Sequence, residues 1–430
     1  MPEKIVSKAL YYIPVRLSSP LCISNGSSNV TDTDVLRDRN GIPFVPGSSL
    51  AGAFRSYCKD IYPEIDEKLF SDKRLSPLCI SDLTFDERTV TTSIRDGVQL
   101  EDRIAKDGSK YDYEVIDAGA RGAFRLELTR RENDRYDEFI EKLLAGVNNG
   151  DISFGYKKNR GLGQFRLENI GVKFFDFEKG KNTVAAWLDF NQDNSSEYES
   201  LELKETSDPE KLRYITIREP LALPGGVCIR RYSAQLGEAD YSQLTIRSKS
   251  GKEEAVVPGS SWSGAFRSGA SRILKQLYKE LKPEWTYKKI IEAADNIIQE
   301  AFGDVKTGQS KIRISESVIK GAEPKIRTRL KVDRFTGSGV EGALFTERSF
   351  YGGKTQLEIK IANENKWMVG LIILVLKDLE LGYLPVGGGA SIGRGFFQPS
   401  GERTIDSGIR ESEYRLALLQ KIKDDIKDEH

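Results

Sequence analysis

The sequence predicts an α+β chain built from two tandem copies of one domain. Three observations predict it: a twelve-residue string that recurs, two further landmarks that follow each copy in the same order, and an alternation of strand-like and helix-like segments in both halves. The string Val45-Pro46-Gly47-Ser48-Ser49-Leu50-Ala51-Gly52-Ala53-Phe54-Arg55-Ser56 returns 212 residues later as Val257-Pro258-Gly259-Ser260-Ser261-Trp262-Ser263-Gly264-Ala265-Phe266-Arg267-Ser268, with ten of twelve positions identical. Downstream, Ile94-Arg95 followed by Asp102-Arg103 is echoed by Ile326-Arg327 followed by Asp333-Arg334. Each half then closes on a glycine-rich basic loop, Lys157-Lys158-Asn159-Arg160-Gly161-Leu162-Gly163 and Gly387-Gly388-Gly389-Ala390-Ser391-Ile392-Gly393-Arg394-Gly395. A period above 200 residues excludes solenoid repeats and means two whole domains.

Within each half a strand-like run comes first, Ala9–Leu17 and Leu212–Arg218, rich in Tyr, Ile and Val. Pro-Gly breaks it, and Ser48 or Ser49 (Ser260 or Ser261 in the second half) is positioned to N-cap the helix that follows. Apolar periodicity predicts a second helix over Tyr136–Val147 and over Lys366–Leu379, just ahead of the glycine loop and a last strand. The order β, α, β-rich middle, α, β fits a ferredoxin-like fold carrying a long hairpin insertion. The expected boundaries are 1–190 for the first domain, a polar linker or surface insertion at 191–210, 211–402 for the second domain, and a charged tail at 403–430. In that tail Tyr414, Leu418, Ile422 and Ile426 recur at helical spacing, as in a packed or partner-binding helix or a frayed end.

At 430 residues the chain exceeds what one core usually organises, about 250–300 residues, and 38% hydrophobic with 30% charged residues suits two globular cores. The longest apolar run, Trp367–Leu376, is far short of the ~20 residues of a membrane span, so no membrane partner and a cytoplasmic address are expected. Four cysteines without a paired motif support neither a zinc site nor a disulfide framework. The one histidine is His430, so any acid–base chemistry must use carboxylates, a metal, Lys or Tyr. Basic and acidic residues balance at 65 each, so a nucleic-acid surface must come from local clustering.

Such clustering is present. A Pro-Gly-Ser-Ser turn at a helix start can hold a phosphate on backbone N–H groups and the hydroxyls of Ser48, Ser49, Ser260 and Ser261, with Arg55 and Arg267 adding charge, although an ordinary helix start carries the same pattern. The glycine loops let backbone approach a phosphate while Lys157, Lys158, Arg160 and Arg394 supply charge; a plain surface turn is the alternative. The middle stretches mix Arg95, Arg103, Lys110, Tyr111 and Tyr113, then Arg327, Arg329, Lys331, Arg334, Phe335, Phe345 and Phe350, which suits single-stranded RNA as well as a hairpin packed on a neighbouring domain. No nucleotide-binding glycine motif with its strand–turn–helix context and no zinc-protease motif occurs.

Taken together, the 42–52 run, its copy at 256–264, the Asp-Arg pairs at 102–103 and 333–334 and the terminal glycine loops resemble the RAMP superfamily, in particular the backbone subunit of type III CRISPR effector complexes of antiviral defence. The resemblance implies a modified ferredoxin-like (RRM-like) palm with a protruding thumb hairpin, stacked along a guide (CRISPR) RNA beside other subunits of the complex, with a single-stranded target RNA as second partner. A fused pair resembles the single-chain variants of subtype III-D. In that family an aspartate upstream of the Pro-Gly-Ser-Ser turn is required for divalent-metal-dependent cleavage of the target. By resemblance Asp32 is the match, Asp34 the neighbour most easily confused with it, and Asp240 the candidate in the second half, each site drawing on Mg²⁺ beside a phosphate that the ribose 2′-OH attacks in line. A scaffold that binds guide RNA without cutting shares every basic motif and differs only at Asp32, Asp34 and Asp240. A guide-processing ribonuclease is disfavoured by the missing histidine.

Overall fold

A computed structural model describes residues 4–428 apart from 25, 27–29, 71–74, 102–103, 133–135, 204–212, 232–238, 248–250 and 305–307. Two compact units emerge, one comprising 1–97, 111–158 and 162–213, the other 98–110, 159–161 and 214–430.

In the first unit the strand Ile5–Leu17 is central because every second side chain is apolar and buried, from Ala9 through Tyr11, Ile13 and Val15 to Leu17. It pairs antiparallel with Arg121–Arg131 on one side and Gly171–Asp176 on the other. Strands Leu78–Ile80 and Leu83–Phe85 continue the sheet on the far edge of Arg121–Arg131. Helices α1 (Gly47–Ile61), α2 (Pro63–Leu69) and α3 (Asp137–Asn148) are joined by a short α4 (Lys181–Leu188). Leu50, Ala53, Phe54, Tyr57 and Cys58 repeat at intervals of three and four, so one stripe of α1 enters the core with Ile140, Leu143 and Leu144 of α3.

The second unit repeats the plan. Its strand Tyr214–Ala222 pairs antiparallel with Lys354–Ala362, which pairs in turn with Ile312–Ile314. Helices α5 (Gly259–Leu281), α6 (Tyr287–Phe302) and α7 (Lys366–Glu380) match α1, α2 and α3 in order. The stripe Trp262, Phe266, Ala270, Leu274 and Tyr278 buries α5. The predicted Lys366–Leu379 helix is present almost residue for residue, and the expected tail is a helix, α8 (Glu411–Asp428), whose Tyr414, Leu418, Ile422 and Ile426 are part of the second core. Gly370 makes that packing possible, because a Cβ there would collide with the Tyr414 carbonyl. Of the expected linker, residues 204–210 lie outside the described residues, while Glu199–Ser200 add an edge strand to the first sheet and Tyr198 packs on Tyr12 and Phe190.

The structure corrects the capping expectation. Pro46 and Pro258 are the N-caps, neither helix has a side-chain cap bond, and the serines sit inside the first turn. Asp82 instead accepts the Gly47 N–H at 2.7 Å. The glycines are there for close approach: a Cβ on Gly47 would run into the Ile80 carbonyl, and one on Gly259 into the Ile314 carbonyl.

Two long hairpins are present, Thr92–Glu101 with Ile104–Ile116 and Glu323–Val332 with Gly339–Tyr351. No helix among the described residues is long and apolar enough to cross a membrane.

Candidate nucleic-acid interface

Asp32 and Asp34 have different environments. Asp34 is 9% exposed, and its carboxylate accepts the N–H groups of Val30 at 3.0 Å and Thr31 at 2.8 Å and the Thr31 hydroxyl at 2.8 Å. Those bonds close the turn, so Asp34 shapes the loop. Asp32 is exposed and exchanges two hydrogen bonds with Asp112 of the long strand: Asp112 N–H donates to Asp32 Oδ2 at 2.9 Å, and Asp32 N–H donates to Asp112 Oδ1 at 2.9 Å. Further along, Glu114 accepts the Val35 N–H at 3.0 Å, pairs with Arg37, and donates its own N–H to the Thr33 carbonyl at 2.9 Å. The loop is therefore laced to the hairpin strand over residues 112–114.

In the second unit, Asp240 is exposed and its Oδ2 accepts the N–H of Thr346 at 2.7 Å, again from the long hairpin strand. The next residue, Tyr241, pairs parallel with Glu347. Asp32 and Asp240 thus occupy matching stations, each anchored through Oδ2 to a backbone N–H of the strand that leads back from the hairpin. Gly237 and Glu238 ahead of Asp240 lie outside the described residues.

Beside Asp240 the hairpin has two chemically distinct faces, because cross-strand partners share a face. Lys325, Arg327 and Arg329 oppose Ser349, Glu347 and Phe345 on one face; Ile326 and Leu330 oppose Arg348 and Leu344 on the other. On the basic face Lys325 and Arg327 lie 5.2 and 4.9 Å from the centre of the Tyr351 ring. Arg230 lies 4.1 Å over Tyr241, whose ring meets Phe345 edge-on at 6.2 Å. At the tip, Asp333 accepts the N–H groups of Phe335 and Thr336, bonds that hold its carboxyl below the usual range, and Arg334 and the 95% exposed Phe335 project from that turn. Cations alternating with aromatic rings on an exposed ribbon can neutralise phosphates and stack bases.

A family model described as the RAMP superfamily matches residues 15–166 and 214–398. The chain belongs to the RAMP superfamily. Its two matched stretches make it a tandem of RAMP domains. Among solved structures, a chain of the "Cryo-EM structure of the Type III-B Cmr-beta bound to cognate target RNA" is similar at 14% identity with a TM-score of 0.33, covering 39% of this chain and 61% of that one. This chain therefore spans less than two thirds of that chain's length. No curated protein matches.

The glycine loops of the two RAMP domains are superposable by their constraints. A Cβ on Gly163 would strike the Phe154 carbonyl and one on Gly395 the Val386 carbonyl, while the Cys22 carbonyl accepts the Tyr156 N–H at 2.7 Å and the Cys228 carbonyl the Gly388 N–H at 2.9 Å. Lys157 takes a left-handed φ of 57°, where the second domain has Gly389 at 79°. Its Nζ lies 4.3 Å above both Tyr111 and Tyr113 and donates to the Tyr111 hydroxyl at 3.2 Å. Arg394 is only 3% exposed: its guanidinium pairs with Glu347 and donates to the Ser349 hydroxyl at 2.5 Å. It organises the root of the hairpin rather than facing solvent.

The remaining predicted contacts divide by exposure. Arg55 pairs with Asp66 of α2 at 3.3 Å, and Arg267 donates to the Gly303 carbonyl at the end of α6 at 2.9 Å, its guanidinium shifted down by burial. Ser48 is exposed; Ser49, Ser260, Ser261, Lys158 and Arg160 are half-buried; Arg103 lies outside the described residues. Phe350 is fully buried, so it belongs to the core and not to a stacking surface. Sequence reasoning missed Lys325, Arg230, Tyr241 and Tyr351. The strict alternation Lys325, Arg327, Arg329, Lys331 is the signal that would have separated the basic face from the apolar one.

Proposed function

We propose that this chain is a backbone subunit of a type III CRISPR ribonucleoprotein, acting in the cytoplasm, in which each RAMP domain is a ferredoxin-like palm with its long hairpin as a thumb. The two domains hold guide RNA and target RNA, and each cuts the bound target beside one exposed aspartate, Asp32 in the first and Asp240 in the second. The observation that carries this reading is the repeated station: an exposed carboxylate, fixed to the hairpin strand at 2.9 and 2.7 Å, at the root of a hairpin. In the second domain that hairpin bears cations and rings on one face.

Asp32 and Asp240 are the residues that would hold a divalent cation such as Mg²⁺. One hard-oxygen carboxylate per site suits a cation that keeps most of its waters and shares substrate phosphate oxygens, and among the described residues no group of three or more His, Cys, Asp or Glu forms a dedicated cage. When bound, such an ion would neutralise charge on the scissile phosphate. The protein's own part is positional: Lys325 and Arg327 hold the backbone, the aromatic rings stack bases, and the anchored aspartate faces a phosphate whose neighbouring 2′-OH can align for in-line attack. Target sequence is read by base pairing with the guide.

The test is cleavage of a guide-complementary RNA by the reconstituted complex with Mg²⁺, using wild type, Asp32→Ala, Asp240→Ala and the double variant. Each single variant should lose its own cut while binding the target as wild type does. Persistence of every cut in the double variant would leave the chain a guide-binding scaffold, the reading that shares all the basic features.

A further inference from the structure

We propose that Asp112 is a positioning residue for Asp32, so that the first site grips its aspartate with two arms where the second uses one. The inference rests on the proposed cleavage reading and deepens it at the first site.

The geometry is reciprocal. Asp112 presents its N–H to Asp32 Oδ2 and its own Oδ1 to the Asp32 N–H, both at 2.9 Å, across 80 positions of sequence. The two bonds fix both ends of residue 32: the backbone cannot swing away from the strand and the carboxylate cannot leave its rotamer without breaking one. Asp112 lies between Tyr111 and Tyr113, whose rings pack together beneath Lys157, so the opposite face of its strand is held in place. A half-buried carboxylate accepting an N–H from the loop it steadies is a fixed support, and Asp32 remains the exposed group.

Among the described residues the second domain keeps half of this. Its matching residue is Thr346, whose N–H holds Asp240 Oδ2 at 2.7 Å while its hydroxyl lies 3.4 Å from the Thr328 hydroxyl across the ribbon. A threonine has no carboxylate oxygen to offer the loop. The two sites therefore differ in how tightly the aspartate is held, and the first should depend on residue 112 in a way the second has no counterpart for.

The experiment compares Asp112→Ala, Asp112→Asn and Asp32→Ala in the reconstituted complex, following both cuts of a guide-complementary RNA with Mg²⁺ and measuring target binding in parallel. Asparagine keeps an oxygen that can accept the Asp32 N–H; alanine does not. Loss of one hydrogen bond corresponds to a rate reduction of about tenfold. Asp112→Ala should slow the Asp32-dependent cut by that factor with the other cut and RNA binding unaltered, and Asp112→Asn should restore most of it. A wild-type rate in Asp112→Ala overturns the proposal, as does an Asp112→Asn variant as slow as alanine, because the negative charge would then matter and not the hydrogen bond. If Asp32→Ala itself leaves the first cut intact, the cleavage reading fails at that site, a result distinct from failure at Asp112 alone.

Discussion

Arg394 and Glu347 form a buried ion pair at the root of the second hairpin, at the place where Leu162 and Tyr113 share a small apolar cluster in the first domain. The neighbours change with them: Cys22 and Val115 complete the apolar version, Cys228 and Ser349 the polar one. One architectural position is thus filled either by dispersion and desolvation or by charge, and each solution is internally consistent.

Removing one partner should be costly. Glu347→Ala leaves a 3% exposed guanidinium without its main counter-charge and should lower unfolding free energy by about 3–5 kcal/mol. Transplanting the first domain's solution as Glu347→Tyr, Ser349→Val and Arg394→Leu together should be near neutral, or stabilising by about 1–4 kcal/mol, since no buried charge is stranded. Arg329, 3.6 Å from Glu347, is deprived of a partner in both variants but is partly solvated. Urea unfolding of wild type and the two variants decides it.

RNA affinity should separate exposed from buried arginines. Lys325→Ala and Arg327→Ala should weaken binding of single-stranded RNA and reduce the slope of log K against log salt by about 0.7 for each phosphate that is no longer neutralised. Arg394→Ala should instead lower thermal stability and leave that slope unchanged in the fraction that stays folded. Anisotropy titrations across a range of KCl concentrations measure the slope directly.

Helix α8 should behave as part of the second core. Leu418→Ala removes a buried side chain where α8 packs on α7 and should cost about 2–5 kcal/mol. Gly370→Val should release α8 more completely, because its side chain would meet the Tyr414 backbone, and limited proteolysis should then cut near residue 410.

Thiol chemistry reports the same burial. Cys79 is exposed, whereas burial pushes Cys22 up to about 11, Cys58 up to about 12, and Cys228 upward as well. A disulfide reagent at neutral pH should label Cys79 quickly and the other three slowly, since the thiolate is the nucleophile and burial keeps those three protonated and out of reach. Denaturant should release the other three.

Much of the fold is written locally. The recurrence of the Pro-Gly-Ser-Ser string, the apolar stripe of Lys366–Leu379 and the four-residue spacing of Tyr414, Leu418, Ile422 and Ile426 each lie within one element, where periodicity reports burial directly. The N-caps were not legible, because the group that meets the Gly47 N–H is Asp82, 35 positions downstream. Nor could composition tell Asp32 from Asp34: two aspartates two residues apart differ only in what the turn does with each.

The sequence by itself determined that there are two copies of one α+β domain, and which loops carry aspartate and which carry cations. Tertiary structure decided which of those groups reach solvent. Asp34 is consumed by its turn and Arg394 by Glu347, while Asp32 and Asp240 are held exposed by backbone N–H groups of distant hairpin strands. For Arg394, Asp32 and Asp240 the physical reason is that burial and pairing depend on partners 47 to 106 positions away, a separation over which only the folded sheet sets distance.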